Sequence, residues 1–205
     1  MLGTLGALKQ KKLKRLIAYS SIAHLGYLML GLGGMTIETL QAGLVYMTIY
    51  IFLVFGLFLS LLFLRDSPTT NTIRELEEID ILNSLSEGKK VYKYFVALIL
   101  LSMAGIPPLL GFFSKFLLIK TLLYNGDFLL SLIIVMVSVV SCFYYLRIIK
   151  NMFFNKSNKY VNLNLFKLNI SLVLTCITIL NVLSPWTFDF IYKSISNSIN
   201  FSIFI

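Results

Sequence analysis

Residues 94–124 read YFVALILLSMAGIPPLLGFFSKFLLIKTLLY. At about 1.5 Å per residue, this stretch is long enough to cross a hydrocarbon core of roughly 30 Å. Its middle holds Pro107 and Pro108. Proline has no backbone N–H and clashes with the preceding turn, so a helix here must break. Carbonyls near residues 102–105 then lose their partners. In a membrane such breaks are tolerated where they are buried in protein or line a hydrated cavity, and transport proteins place them at ion sites. Lys115 follows about two turns later. An amine beside a broken apolar helix points to transport more strongly than either feature alone.

The rest of the chain repeats the apolar character. Of its 205 residues, 58% are hydrophobic and the mean hydropathy is +0.85, against about 45–50% apolar residues in soluble domains. That excess leaves too little polar surface for water, so lipid must solvate much of the chain. Further apolar runs cover about residues 16–34, 39–64, 128–149 and 168–183. The basic segments 9–15, 65–93 and 147–167 alternate with segments 34–38 and 125–127, which carry no Lys or Arg. Five single crossings put all three basic segments on one side, as the positive-inside rule requires. Reading 94–124 as two crossings would break that agreement. The sequence therefore predicts an all-α, polytopic transmembrane helix bundle of about five spans, one of them broken by Pro107 and Pro108.

By segment, 1–12 reads as the end of a truncated helix and 13–64 as two transmembrane helices. A polar loop at 65–93 and three further helices over 94–184 follow. The remainder, 185–205, is a tail or interfacial segment. Within the loop, residues 73–82 (IRELEEIDIL) fit either a solvated acidic face or a short interfacial helix. The net charge of +9 follows from topology, and no nucleic-acid partner is expected. Cys142 and Cys176 lie in separate apolar runs, which supports neither a metal site nor a disulfide. There is no cysteine cluster, glycine-rich dinucleotide motif or haem-ligand pair, so no cofactor is expected in this chain.

Depth selects the candidate functional residues. Lys115 lies ten residues before Asn125, roughly 15 Å along a helix and near the bilayer middle. An ionisable group there costs about 2.5–3.5 kcal/mol or more. Lys120, half as far from the loop, can snorkel. A lysine that is neutral or charged depending on its neighbours can carry a proton, and the spans offer no mid-depth Asp or Glu to pair with it. His24, the one histidine, is about equally deep and can pass a proton between its ring nitrogens. A core histidine held by hydrogen bonds is the alternative. Tyr50, with Tyr46 one turn before it, is a relay candidate or a packing residue. Ser20, Ser21, Ser138, Ser141, Thr175 and Thr178 can hold waters between helices or simply bond across them.

Three stretches carry a family resemblance: ALKQKKLKRLIAYSSIAHLGYLMLGL (7–32), LSMAGIPPLLGFFSKF (101–116) and YYLRIIKNMFF (144–154). The first two resemble the antiporter-like subunits of respiratory complex I and of the multisubunit sodium/proton antiporters. The third makes the chain most similar to the NADH dehydrogenase subunit 2 type. The resemblance weakens over 66–90 and after Pro185. It implies the last five helices of a longer proton-translocating bundle within NADH:ubiquinone oxidoreductase, with no redox chemistry in this chain. It gives Lys115 the channel position after the broken helix and His24 a place on a central polar axis. Tyr50 falls where some relatives carry a second histidine, while Lys14 and Arg15 read as interfacial anchors. The family's N-terminal half, with a glutamate and two further lysines, has no counterpart here. A split subunit is therefore expected, its other half a separate chain docked against residues 1–34. Other membrane-arm subunits and membrane lipids are the remaining partners. The Phe-, Ile-, Leu-, Asn- and Lys-rich composition suggests an organelle gene and the mitochondrial inner membrane. An antiporter subunit without respiratory function and a non-transporting assembly remnant are the alternatives.

Overall fold

The computed structural model describes residues 1–10, 12–34, 36–65, 90–154 and 168–203. The segment 73–82 therefore lies outside the described residues. In chain order the helices are α1 (Leu2–Leu8), α2 (Leu13–Gly33), α3 (Ile37–Arg65), α4 (Lys90–Ala104), α5 (Leu110–Tyr124), α6 (Phe128–Phe154), α7 (Leu168–Val182) and α8 (Ser184–Ile203). No strand occurs among the described residues.

Local chemistry sets several ends. Thr36 and Thr39 cap the start of α3 reciprocally, each hydroxyl accepting from the other residue's N–H at 3.3 Å. Glu38 in that first turn complements the positive end of the helix dipole. At the end of α4, Gly105 takes φ +88°, a left-handed conformation that a side chain would strain.

Among the described residues, three helices are individually long and apolar enough to cross a bilayer: Leu13–Gly33, Ile37–Leu61 and Phe128–Phe154. Both α4 and α5 pack along α6, and the Gly111 N–H donates to the Ser102 hydroxyl at 3.0 Å. From that shared level, α4 reaches back about 18 Å to Lys90 and α5 forward about 21 Å to Asn125. The two together match the roughly 40 Å of α6, so they form one broken crossing. The run at 168–183 behaves differently. Helix α7 covers only about 22 Å before the chain turns by 88° into α8. It stops at the level of the break, and α8 lies across α3 and α5, with Phe188 against Phe113 at 5.6 Å.

The core runs along α3, which contacts α2, α4, α5, α7 and α8. Its Val45, Ile49, Leu53 and Leu57 recur every fourth residue and are at most 2% exposed. Basic segments meet at one end of the bundle. The Arg147 guanidinium donates to Leu8 O at 2.8 Å and Gln10 O at 3.1 Å, and Lys93 donates to Met152 O at 3.4 Å. At the opposite end the Asn125 amide donates to the Thr36 hydroxyl at 3.0 Å. The charge pattern and the packing thus sort the helix ends in the same way.

Candidate functional site

The break leaves carbonyls at the end of α4, and Lys115 takes two of them. Gly105 N–H bonds Leu101 O and Ser102 O, and Ile106 N–H bonds Leu101 O. The carbonyls of Met103 and Ala104 each accept from Lys115 Nζ at 3.0 Å. A cation at a helix C-terminus is favoured by the negative end of the helix dipole. The Tyr27 ring adds its face 5.6 Å from the amine. Lys115 is 5% exposed, and the recorded ion pair among the described residues, Asp189 with Lys193, lies on α8. The buried amine is therefore held by backbone dipoles and a ring.

His24 reaches the same region from α2. Its Nδ1 is 2.5 Å from the Tyr46 hydroxyl and its Nε2 is 3.2 Å from the Tyr145 hydroxyl. A neutral imidazole donates from one nitrogen and accepts at the other, so the phenols on α3 and α6 are joined through the ring with a polarity set by its tautomer. Tyr50 stacks on the ring face, with centroids 4.5 Å apart. A small cavity with room for about one water is lined by His24, Tyr46, Tyr50, Ser102, Ser114 and Lys115. Lys115, His24 and Tyr50 thus line one small pocket. Pro107 and Pro108 sit just outside it in the exposed break, where Pro108 O accepts from the Ser184 hydroxyl.

Sequence reasoning missed part of this arrangement. The ring nitrogens of His24 bond Tyr46 and Tyr145, whereas Tyr50 meets the ring by its face. Tyr145 carried a weak signal, since it lies inside a motif already singled out. Ser102 and Asn181, which bond each other at 2.9 Å, carried less; Asn181 is only a polar residue in an apolar run. The six hydroxyl residues read as water-holding or cross-helix groups also bond within their own helices. Ser20, Ser21, Ser138, Ser141, Thr175 and Thr178 each donate to a carbonyl three or four residues earlier. Both cysteines are free thiols.

Residues 1–143 match the family described as NADH:quinone oxidoreductase/Mrp antiporter, transmembrane. The NADH-quinone oxidoreductase subunit N of Rhodospirillum rubrum is 41% identical over 159 residues, covering 78% of this chain and 32% of the relative. The NADH-ubiquinone oxidoreductase chain 2 of Marchantia polymorpha is 39% identical over 194 residues, 95% of this chain and 37% of that one. A chain of respiratory complex I from Thermus thermophilus with bound NADH shares the fold at TM-score 0.77 and 22% identity, covering 97% of this chain and 41% of the other. This chain spans about a third of the length of the curated relatives it matches.

Proposed function

The chain belongs to the NADH:quinone oxidoreductase/Mrp antiporter transmembrane family, and on that premise we propose that it is the C-terminal part of a proton-translocating, subunit 2-type component of NADH:ubiquinone oxidoreductase. One observation carries the reading. A lysine amine sits in the middle of a membrane bundle, held at 3.0 Å by two carbonyls that a helix break sets free, in a pocket shared with His24. Backbone carbonyls stabilise the ammonium form without neutralising it permanently, as a carboxylate would. The amine can therefore release its proton toward the cavity when nearby charge changes. His24 passes it on by exchanging donor and acceptor roles with Tyr46 and Tyr145.

In this scheme the chain moves protons and carries no redox cofactor. Its working partners are other membrane-arm subunits, membrane lipids and a separate chain supplying the N-terminal helices. The Phe-, Ile-, Asn- and Lys-rich composition supports a mitochondrial inner membrane. Replacing Lys115 by Met in the assembled complex tests the reading. In liposomes, proton uptake per NADH oxidised is expected to fall by the whole contribution of this subunit. Normal uptake would make the chain an assembly component. Sodium/proton exchange without NADH would move it to the antiporter side of the family.

A further inference from the structure

Asn181 ties both sides of the break to a third helix. It is 0% exposed, as are Ser102 and Ser184. Its Oδ1 accepts from the Ser102 hydroxyl on α4 at 2.9 Å and from the Leu110 N–H on α5 at 3.2 Å. Its Nδ2 points at Leu98 O at 3.5 Å. Ser102 in turn accepts from the Gly111 N–H at 3.0 Å. No side chain at Leu109 caps α5, so Leu110 and Gly111 would otherwise present orphan donors in a buried setting. One amide supplied by α7 answers both ends of the interruption, and Ser184, just past the end of α7, bonds Pro108 O within it.

The residues directly after Ser102 are Met103 and Ala104, whose carbonyls accept from Lys115. Lys115 itself lies one turn beyond Gly111. The link through Asn181 and Ser102 therefore sets the offset between the acceptors and the turn that carries the donor. We infer that Asn181 is a positioning residue for the Lys115 amine, holding the two halves of the broken helix at the spacing that lets one lysine span them. A buried amide in an apolar bundle is tolerated when its groups are used, and here Oδ1 serves both sides of the break while Nδ2 faces Leu98 O within α4.

This inference rests on the reading of Lys115 as the proton carrier, and the experiment separates the two. Proton uptake per NADH is measured across a pH series in liposomes containing the whole complex. The variants are Asn181→Leu, Ser102→Ala, the pair combined, Lys115→Met and Thr178→Val. Thr178 is buried on the same helix but bonds only carbonyls of α7. The share of uptake that Lys115→Met removes should fall about tenfold in Asn181→Leu, the effect of weakening one hydrogen bond to a charged group. Its pH profile should move as well. Ser102→Ala should act in the same direction, and the pair should lose more than either alone but less than the two effects combined, because the Leu110 and Gly111 ties are separate while the Asn181–Ser102 bond is shared. Thr178→Val should change neither quantity. If Asn181→Leu fails to assemble, Ser102→Ala carries the same test. An unchanged pH profile, with Lys115→Met still abolishing the share, overturns the role of Asn181 alone. Normal pumping by Lys115→Met removes the reading beneath it.

Discussion

The ammonium of Lys115 has three N–H donors, and Met103 O and Ala104 O occupy two of them. The third is left for the cavity that His24 lines. The imidazole divides its two nitrogens unequally, with the shorter contact to Tyr46 and the longer to Tyr145. Tyr46→Phe should therefore lower the Lys115-dependent share of proton uptake about tenfold, since it leaves a buried ring nitrogen without its closest partner. Tyr145→Phe should lower it less, and Tyr50→Phe least, because the phenylalanine ring still stacks on His24. Proton uptake per NADH in liposomes measures all three, and an order with Tyr50→Phe worst would make Tyr50 the relay. Depth and residue type were enough to single out Lys115, His24 and Tyr50 from sequence. Choosing Tyr46 over Tyr50 as the hydrogen-bond partner was not possible there. The two lie one turn apart on one face, and which meets a nitrogen depends on where α2 crosses α3.

Among the helices, the break is the feature on which the site depends. Its existence is legible from Pro107 and Pro108, because proline acts locally. Its closure is not, because Asn181 and Ser184 come from more than seventy residues later. Likewise, the apolar run at 168–183 reads as a span, and Ser184-Pro185 marks where it ends, but not the 88° turn by which α8 folds back onto the bundle. Gly111 makes the closure testable. A Cβ there would lie 1.9 Å from Ser102 O and 2.7 Å from Ser102 C, backbone atoms that cannot rotate away. Gly111→Ala should push α5 off α4 and destabilise the subunit by about 1–3 kcal/mol or more, the range for overpacking a filled core. Gly26, with nothing within 4 Å of its would-be Cβ, provides the comparison. Gly26→Ala meets no clash within this chain and should be neutral or stabilising by up to about 1 kcal/mol, the gain from replacing a glycine inside a helix. Thermal melting of the purified complex, together with the yield of assembled subunit, gives both values. Equal behaviour of the two alanines would mean that α4 and α5 are not in contact at Ser102.

Taken whole, the bundle presents a long apolar face on α1 and α2. Leu2 is 88% exposed, Leu5 56%, Ile22 52%, Leu25 51% and Met29 65%. Which helix ends gather together was legible early, since Lys and Arg placement is a property of the entire chain, and Arg147 and Lys93 gather the basic ends where that pattern puts them. A partner's identity has no such imprint; exposed Leu, Ile and Met suit lipid tails and helices alike. The relatives are about three times as long as this chain, which makes further helices of the same kind of subunit the occupant to test. If a separate chain supplies them on the α1–α2 face, intact-mass measurement of the native complex should find this chain at its own mass. A second polypeptide bearing the complementary helices should accompany it. A photo-crosslinker at position 25 or 29 should then join the two, whereas one at Val139 on α6, 63% exposed, should not. A single polypeptide of roughly three times the mass carrying this sequence would make the partner covalent and the split wrong, while crosslinks from position 25 to lipid alone would move the docking face elsewhere.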